Sequence, residues 1–317
     1  MTGHATTPIR GEAAPFRDFL QLLRPTQWIK NVVVLAGPVA AKRLFHLEDF
    51  INAILAFVAF CLASSAAYAI NDTIDRHADA RHPTKRHRPL ARGAIRPATA
   101  LMSAAVLISA SLALSVMFLN PKVIIILATY FVMVLGYSVA LKNRILLDVI
   151  VIATGFVLRA WAGSEAVGVQ TSEWLVACMF TLCLFLGFGK RRCELAMLNN
   201  EEDAREHRAT LVRYTPDLLN HLITVSAGIA IITFLLYTMD RGPSPFDRRL
   251  MFYTLPIVFY GVFRYAMITE LGIFAGPTEI ILKDKGMRAS ILLWAAVALA
   301  IVYKDAVLHA LGVARAG

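Results

Sequence analysis

The chain has 317 residues; 57% are hydrophobic, only 17% are charged, and the mean hydropathy is +0.60. A soluble domain of this length carries more charge. Several apolar runs approach the roughly 20 residues that cross a bilayer as a helix, so the composition excludes an ordinary soluble globule and predicts an all-α, polytopic membrane protein. The net charge of +10 does not indicate nucleic acid, because the basic residues stand in short loops between apolar runs.

Residues 1–15 are small and polar and read as a disordered tail, with 16–317 as a single transmembrane domain. No cleavable signal peptide is expected, since the first 26 residues lack an apolar core of the right length. Phe16, Phe19, Leu20 and Leu23 recur at helical spacing and predict a short helix lying at the cytoplasmic interface. Pro25 ends it, and Trp28 and Lys30 follow at headgroup level. Nine apolar spans then fall at 29–45, 47–71, 97–119, 121–141, 145–163, 173–190, 217–239, 247–269 and 287–306, the first diluted by Asn31, Lys42 and Arg43. The N-terminal segment and the loops after spans two, four, six and eight carry the large basic groups. This puts them in the cytoplasm and the C-terminus outside, in the inner membrane of a cell. The loop from Asp240 to Arg249 is an exception, with three Arg. Cys61, Cys178, Cys183 and Cys193 form no metal-type pattern, and the first three read as small packing residues in apolar runs.

The most informative stretch is Asn71–Arg96, NDTIDRHADARHPTKRHRPLARGAIR, directly after an apolar run. Asn71, Asp75 and Asp79 are spaced by four, which turns about 40° per step on a helix and lines three oxygen donors along one face. Asp72 stands at about 100° from Asn71 and is expected to point off that face. Carboxylates stacked at the end of an apolar helix repel one another, and a divalent cation removes that penalty; hard oxygen donors suit Mg²⁺. Arg76, Arg81, Lys85, Arg86, Arg88, Arg92 and Arg96 follow. Acids that hold Mg²⁺ beside cations that hold phosphate make a site for a diphosphate whose departure the metal assists. A loop made basic by the positive-inside rule would account for the Arg and Lys, but not for oxygen donors in helical register at a membrane boundary. His77, His82 and His87 have no metal spacing and read as solvent-facing or phosphate-assisting.

Further polar groups fall on the same predicted face. Tyr137 and Lys142 end span four; Lys190, Arg191, Arg192 and Glu194 end span six; Glu279, Lys283 and Asp284 follow span eight. Interfacial anchoring would explain the first pair and topogenic charge the second group. Arg264 lies inside an apolar run, where an arginine is usually paired or functional. The acid-rich run 200–206 reads as a solvated loop. Helix ends converging on one cytoplasmic pocket would be the simplest packing.

These residues resemble the UbiA superfamily of intramembrane prenyltransferases, through Asn71-Asp72-x-x-Asp75-x-x-x-Asp79 after a second span, the downstream Arg88-Pro89, and nine spans in all. RPTQWIKN at 24–31, YSVALKNRILLDV at 137–149, GFVLRAWAG at 155–163, FGKRRCEL at 188–195 and EHRATLVRYTPDLL at 206–219 are similar to its decaprenyl-phosphate phosphoribosyltransferase branch. The resemblance implies a UbiA-like bundle around a central cavity and transfer of phosphoribosyl from phosphoribosyl pyrophosphate to a polyprenyl phosphate. It implies a catalytic set of Asn71, Asp72, Asp75 and Asp79, with Asn71, Asp75 and Asp79 holding Mg²⁺. Phosphate binding would fall to Lys30, Lys85, Arg88, Lys142, Lys190 and Arg191, with Tyr137, Glu194 and Arg264 in the same group. Aromatic prenyltransferases of the superfamily carry a second DxxxD motif after span six; here Lys190-Arg191-Arg192-Cys193-Glu194 stands there, with Leu198 where the second acid would fall. Cations in that place favour a donor richer in phosphate over a prenyl diphosphate with an aromatic acceptor, which is the alternative. Gly276, before Pro277, also departs from the expected acid. A transporter or lipid-binding scaffold would place polar groups at mid-depth rather than at one end.

Overall fold

A computed structural model of the chain describes residues 16–81, 85–197, 210–242 and 244–304. The tail at 1–15, His82, Leu198, the acid-rich run and the C-terminal Gly317 lie outside the described residues. Among the described residues there is no strand. The helices are α1 (Phe16–Leu23), α2 (Ala36–Ala40), α3 (Leu47–Arg81), α4 (Pro97–Phe118), α5 (Pro121–Val139), α6 (Leu147–Ala166), α7 (Glu173–Ala196), α8 (Pro216–Met239), α9 (Leu255–Leu271), α10 (Pro277–Lys283) and α11 (Lys285–Val302). Among the described residues, eight segments are long and apolar enough to cross a membrane: α3 to α8, α9 with the 3₁₀ turn Arg248–Thr254 ahead of it, and α11. The protein is a multi-pass membrane protein.

Several spans begin at a side-chain cap. Asn120 accepts from the Val123 amide at 3.1 Å, and Thr215 from the Leu218 amide at 3.1 Å. Each precedes a proline at the first helical position, where the missing N–H goes unused. Asp284 caps α11 through the Met287 amide at 2.7 Å.

The apolar run at 29–45 is not one continuous helix. Pro25–Leu35 winds as a 3₁₀ helix, α2 contains Gly37 and Pro38, and Lys42 turns to a positive φ of 58°. Tertiary contact fixes this shape. A Cβ on Gly163 of α6 would stand 1.7 Å from the Val34 carbonyl oxygen, and one on Gly37 would stand 2.1 Å from Ser164 Oγ. Only glycine at both places lets the broken segment lie against α6 so closely.

The core has two main parts joined by α6. Val34, Phe60, Leu127, Tyr130 and Leu158 fill the space between the broken segment, α3, α5 and α6. Val149, Phe185, Phe188, Leu219, Ile223 and Tyr265 fill the space between α6, α7, α8 and α9. A smaller group, Leu22, Ala66, Leu90 and Ile95, ties α1 and the segment after α3 to the end of α3. The predicted short helix is observed as α1: Asp18 and Leu22 turn inward while Phe16 and Leu20 stay exposed. Leu101, Met102, Val106, Val116 and Phe118 of α4 are exposed, as a lipid-facing surface requires. Successive spans reverse direction, so the ends after α3, α5, α7 and α9 share one end of the bundle.

Candidate active site

Helix α3 has 35 residues, so at about 1.5 Å per residue it is about 52 Å long against a hydrocarbon core of about 30 Å. Its last turns overhang, and they carry Asn71, Asp72, Asp75 and Asp79. Cations from three other segments meet these acids. Arg24 Nη2 donates to both Asp72 oxygens at 2.6 and 2.8 Å. Arg88 Nη1 donates to Asp72 at 3.1 Å and Asp79 at 2.7 Å. Lys142 Nζ donates to Asp75 at 2.5 Å. Asp72 is only 2% exposed, a burial that a carboxylate tolerates when so paired.

Asp72 is therefore not turned away from the site, contrary to the angular expectation. Measured from Asn71 it stands at about 100°, but Asp79 stands at about 80°, so the two share a face two turns apart and share Arg88. Asp75 faces Lys142 instead. Among the described residues no three acidic, His or Cys side chains converge tightly enough to hold a metal ion. The donors fit a hard divalent cation in kind, and the positive charge they require is supplied here by Arg24, Arg88 and Lys142.

The cation-rich group at the end of α7 divides. Lys190 is exposed, with Nζ 3.7 Å from Glu194. Arg191 is 2% exposed, pairs with Glu194, and has Nε 3.2 Å from Asp148 Oδ2, close enough for attraction but not aligned as a hydrogen bond. So buried and held by two carboxylates, this guanidinium ties α7 to α6. The Tyr214 hydroxyl donates to Asp148 at 2.8 Å and accepts from the Leu146 amide at 2.9 Å. Burial and the Asp148 carboxylate push its pKa up. Leu146 has a positive φ of 67°, and this bond helps hold it there.

Arg264 donates to both oxygens of Asp284 at 3.1 and 2.8 Å, as an arginine within a span requires, and holds that carboxyl below its usual range. Glu279 is bound to Lys283 at 2.5 Å. Gly276 lies against Lys190, where a Cβ would stand 3.3 Å from Lys190 Cγ, so the turn before α10 borders the site. Tyr137 ends α5 next to the Lys142 turn, and Lys85 precedes Arg88; both are half-buried. His77 and His87 are exposed, as expected.

Lys30 is half-buried in the broken segment, outside the eight spans. Burial first, then the charges of Lys190, Arg159 and Arg24, push its pKa down to about 8. Sequence reasoning missed Arg24, Asp148 and Arg159. The first two act through contacts far apart along the chain. Arg159 carried the same signal as Arg264, a charge inside an apolar run. At the opposite end, a cavity of 480 Å³ is lined by Ser172, Asp240 and Arg248. Arg248 donates to Asp240 at 2.5 Å and stands over the Tyr237 ring. The exceptional basic loop at that end thus neutralises part of its own charge.

Residues 32–271 match the UbiA prenyltransferase family. A decaprenyl-phosphate phosphoribosyltransferase of Corynebacterium glutamicum is 33% identical over 87% of this chain and 83% of its own. One of Mycobacterium tuberculosis is 34% identical over 87% of this chain and 91% of its own. The solved structure of a UbiA homolog from Archaeoglobus fulgidus bound to GPP and Mg²⁺ superposes with a TM-score of 0.69, covering 90% of this chain and 99% of that one at 20% identity. The helical bundle, the acid ladder at the end of its longest helix and these matches agree, and the chain belongs to the UbiA prenyltransferase family.

Proposed function

We infer that this enzyme transfers the 5-phosphoribosyl group from phosphoribosyl pyrophosphate to a polyprenyl (decaprenyl) phosphate and releases diphosphate. The product is a lipid-linked precursor of arabinose for cell-envelope polymers such as arabinogalactan. The observation that carries this reading is similarity along nearly the whole chain to relatives named for that reaction. The cations at the end of α7, where aromatic prenyltransferases place acids, support it.

Asn71, Asp75 and Asp79 would hold Mg²⁺, which neutralises charge on the departing diphosphate. Asp72 holds Arg24 and Arg88 in place. Arg88, Lys142 and Lys85 lie beside the ladder and bind diphosphate oxygens, Arg by paired donors and Lys as point charges. Lys30 and Lys190 bind further phosphate, with Glu194 orienting Lys190 and the Tyr137 hydroxyl as a neutral donor. A lipid phosphate oxygen forms the new bond to ribose C1 as the bond from C1 to the diphosphate oxygen breaks. That oxygen is already anionic at neutral pH, so no general base is needed, and catalysis rests on positioning and charge. In-line attack on an α donor gives a β product. Residues 16–317 act as one domain, with the N-terminus and ladder in the cytoplasm and the C-terminus outside.

The test is incubation of membranes holding the protein with labelled phosphoribosyl pyrophosphate and a polyprenyl phosphate, against a prenyl diphosphate with an aromatic acid. Label entering the lipid only in the first pair is the expected result. Prenylation of the aromatic acid would establish the alternative.

A further inference from the structure

Arg24, Arg88, Lys142, Arg191 and Arg264 each face a carboxylate. Arg159 does not. It lies midway along α6, 7% exposed, and among the described residues no acid stands within ion-pair distance of it. Its partners are neutral. Nε donates to Asn31 Oδ1 at 2.7 Å, Nη1 to the Gly155 carbonyl at 2.9 Å and Nη2 to the Tyr130 hydroxyl at 2.7 Å. Those partners are themselves fixed: the Tyr130 hydroxyl lies 3.2 Å from Ser64 Oγ, which donates to Asn31 Oδ1 at 3.4 Å. The guanidinium also stands over the rings of Tyr130 and Phe156 at 4.6 and 5.2 Å.

These contacts hold and orient the guanidinium without neutralising it. Of its five N–H groups, three are engaged, and the full positive charge remains inside the bundle. A buried cation without an anion is strongly unfavourable, and intramembrane charges of this kind mark ligand sites. Lys30, next in the chain to the Asn31 that holds Arg159, adds a second cation within reach of the Arg159 charge. Arg24 and Lys190 have Asp72 and Glu194 as partners, so the charge that an anion from outside can balance is that of Arg159 and Lys30. A polar stripe leads to it along α3: Asp72, Tyr68 and Ser64 recur every four residues, with Arg24 over the Tyr68 ring at 5.0 Å. Ser64 lies eight residues before Asp72, hence about 12 Å deeper along the helix.

We propose that Arg159 and Lys30 form a second anion site, about 12 Å deeper than the acid ladder along α3, that takes a phosphate monoester. This rests on the transferase reading above for its place in catalysis. Two groups have the required chemistry, the 5-phosphate of the donor and the head of the lipid acceptor. The ladder end binds the diphosphate, and the deep site binds the group that fixes where the ribose or the lipid oxygen stands.

The test uses the full chain in lipid nanodiscs and two probes that need no turnover: ribose 5-phosphate, which lacks the diphosphate, and farnesyl phosphate, which lacks the ribose. Affinities are read for wild type, Arg159→Gln, Tyr130→Phe and Asp75→Asn. We expect Arg159→Gln to weaken one probe by about tenfold to a hundredfold, the range for loss of a charge-assisted hydrogen bond. Tyr130→Phe, which removes one of the three hydrogen bonds that orient the guanidinium but keeps the charge, should weaken the same probe less. Asp75→Asn should leave it unchanged. Loss confined to ribose 5-phosphate assigns the donor, and loss confined to farnesyl phosphate assigns the lipid. If Arg159→Gln does not fold, Tyr130→Phe carries the comparison. Unchanged affinity for both probes in the folded variants would overturn the deep site and leave Arg159 as a packing residue. Probe binding lost on Arg159→Gln in a protein that transfers no phosphoribosyl would instead keep the site and reject the reaction.

Discussion

At the scale of single residues, the ladder acids should now be equally sensitive. Asp75→Asn and Asp79→Asn are expected to lower kcat at least a hundredfold. Asp72→Asn should do the same, because it takes the counter-charge from Arg24 and leaves Arg88 held by Asp79 alone. Kinetics on equal amounts of folded protein check this, and near-normal turnover of Asp72→Asn would contradict the shared-arginine geometry. Neighbours on α7 should behave differently from one another. Lys190→Ala should raise the donor KM about tenfold to a hundredfold, the loss of one charge-assisted bond. Arg191→Ala takes the arginine from the buried Asp148 carboxylate, a loss of about 3–5 kcal/mol, so folded yield and melting temperature should fall before KM moves. A wild-type melting curve for Arg191→Ala would refute its role as a strut. Lys30 gives a pH signature. With its pKa near 8 against an ordinary 10.5, bound phosphate favours the ammonium form and binding takes up a proton. Donor affinity should be full below about pH 8 and fall as pH rises through it. Lys30→Met should flatten the KM–pH profile between 7 and 9.5; an unflattened profile would remove Lys30 from the site.

At the scale of elements, the broken segment depends on one contact. Gly163→Ala puts a methyl into the Val34 carbonyl and should destabilise by about 1–3 kcal/mol. Gly136→Ala on α5 meets nothing within 4 Å and should be neutral. Melting the two variants side by side tests this. The long spans were legible from sequence because a bilayer demands uninterrupted apolar length, and the ladder was legible because helical spacing is local. The break at Pro25–Ala40 was not. It follows from Gly37 and Gly163 admitting a backbone from far along the chain, and no window around residue 30 contains residue 163. For the same reason the cations Arg24, Arg88, Lys142 and Arg191 were visible as charges, but their carboxylate partners were not. The reach of an arginine is set by which helix ends adjoin it. The place of Asp72 turns on a local matter: its neighbour along the face is Asp79, two turns on, with which it shares Arg88, and not Asn71.

At the scale of the molecule, the bundle gathers at one end the helix ends of α3, α5, α7 and α9, whose loops the charge pattern assigns to the cytoplasm. A cysteine introduced at Ala94 should resist an impermeant reagent added to intact cells and react once the membrane is opened. Labelling from outside would reverse the orientation. The same gathering has a further consequence. Arg24 comes from ahead of the first span, Arg88 from the loop after α3 and Lys142 from the turn after α5, and each is already satisfied by an acid of the ladder. Resting in this way, the site is its own counter-ion. Lys142 and Arg88 can turn to a phosphate only when some other positive charge takes over their carboxylates, and the carboxylates can accept that charge only when Lys142 and Arg88 have somewhere to go. Entry is then a simultaneous exchange of two salts rather than two separate bindings. Pyrophosphate without a divalent ion, or the ion without pyrophosphate, should each bind weakly, and the two together far more tightly than the product of their separate affinities.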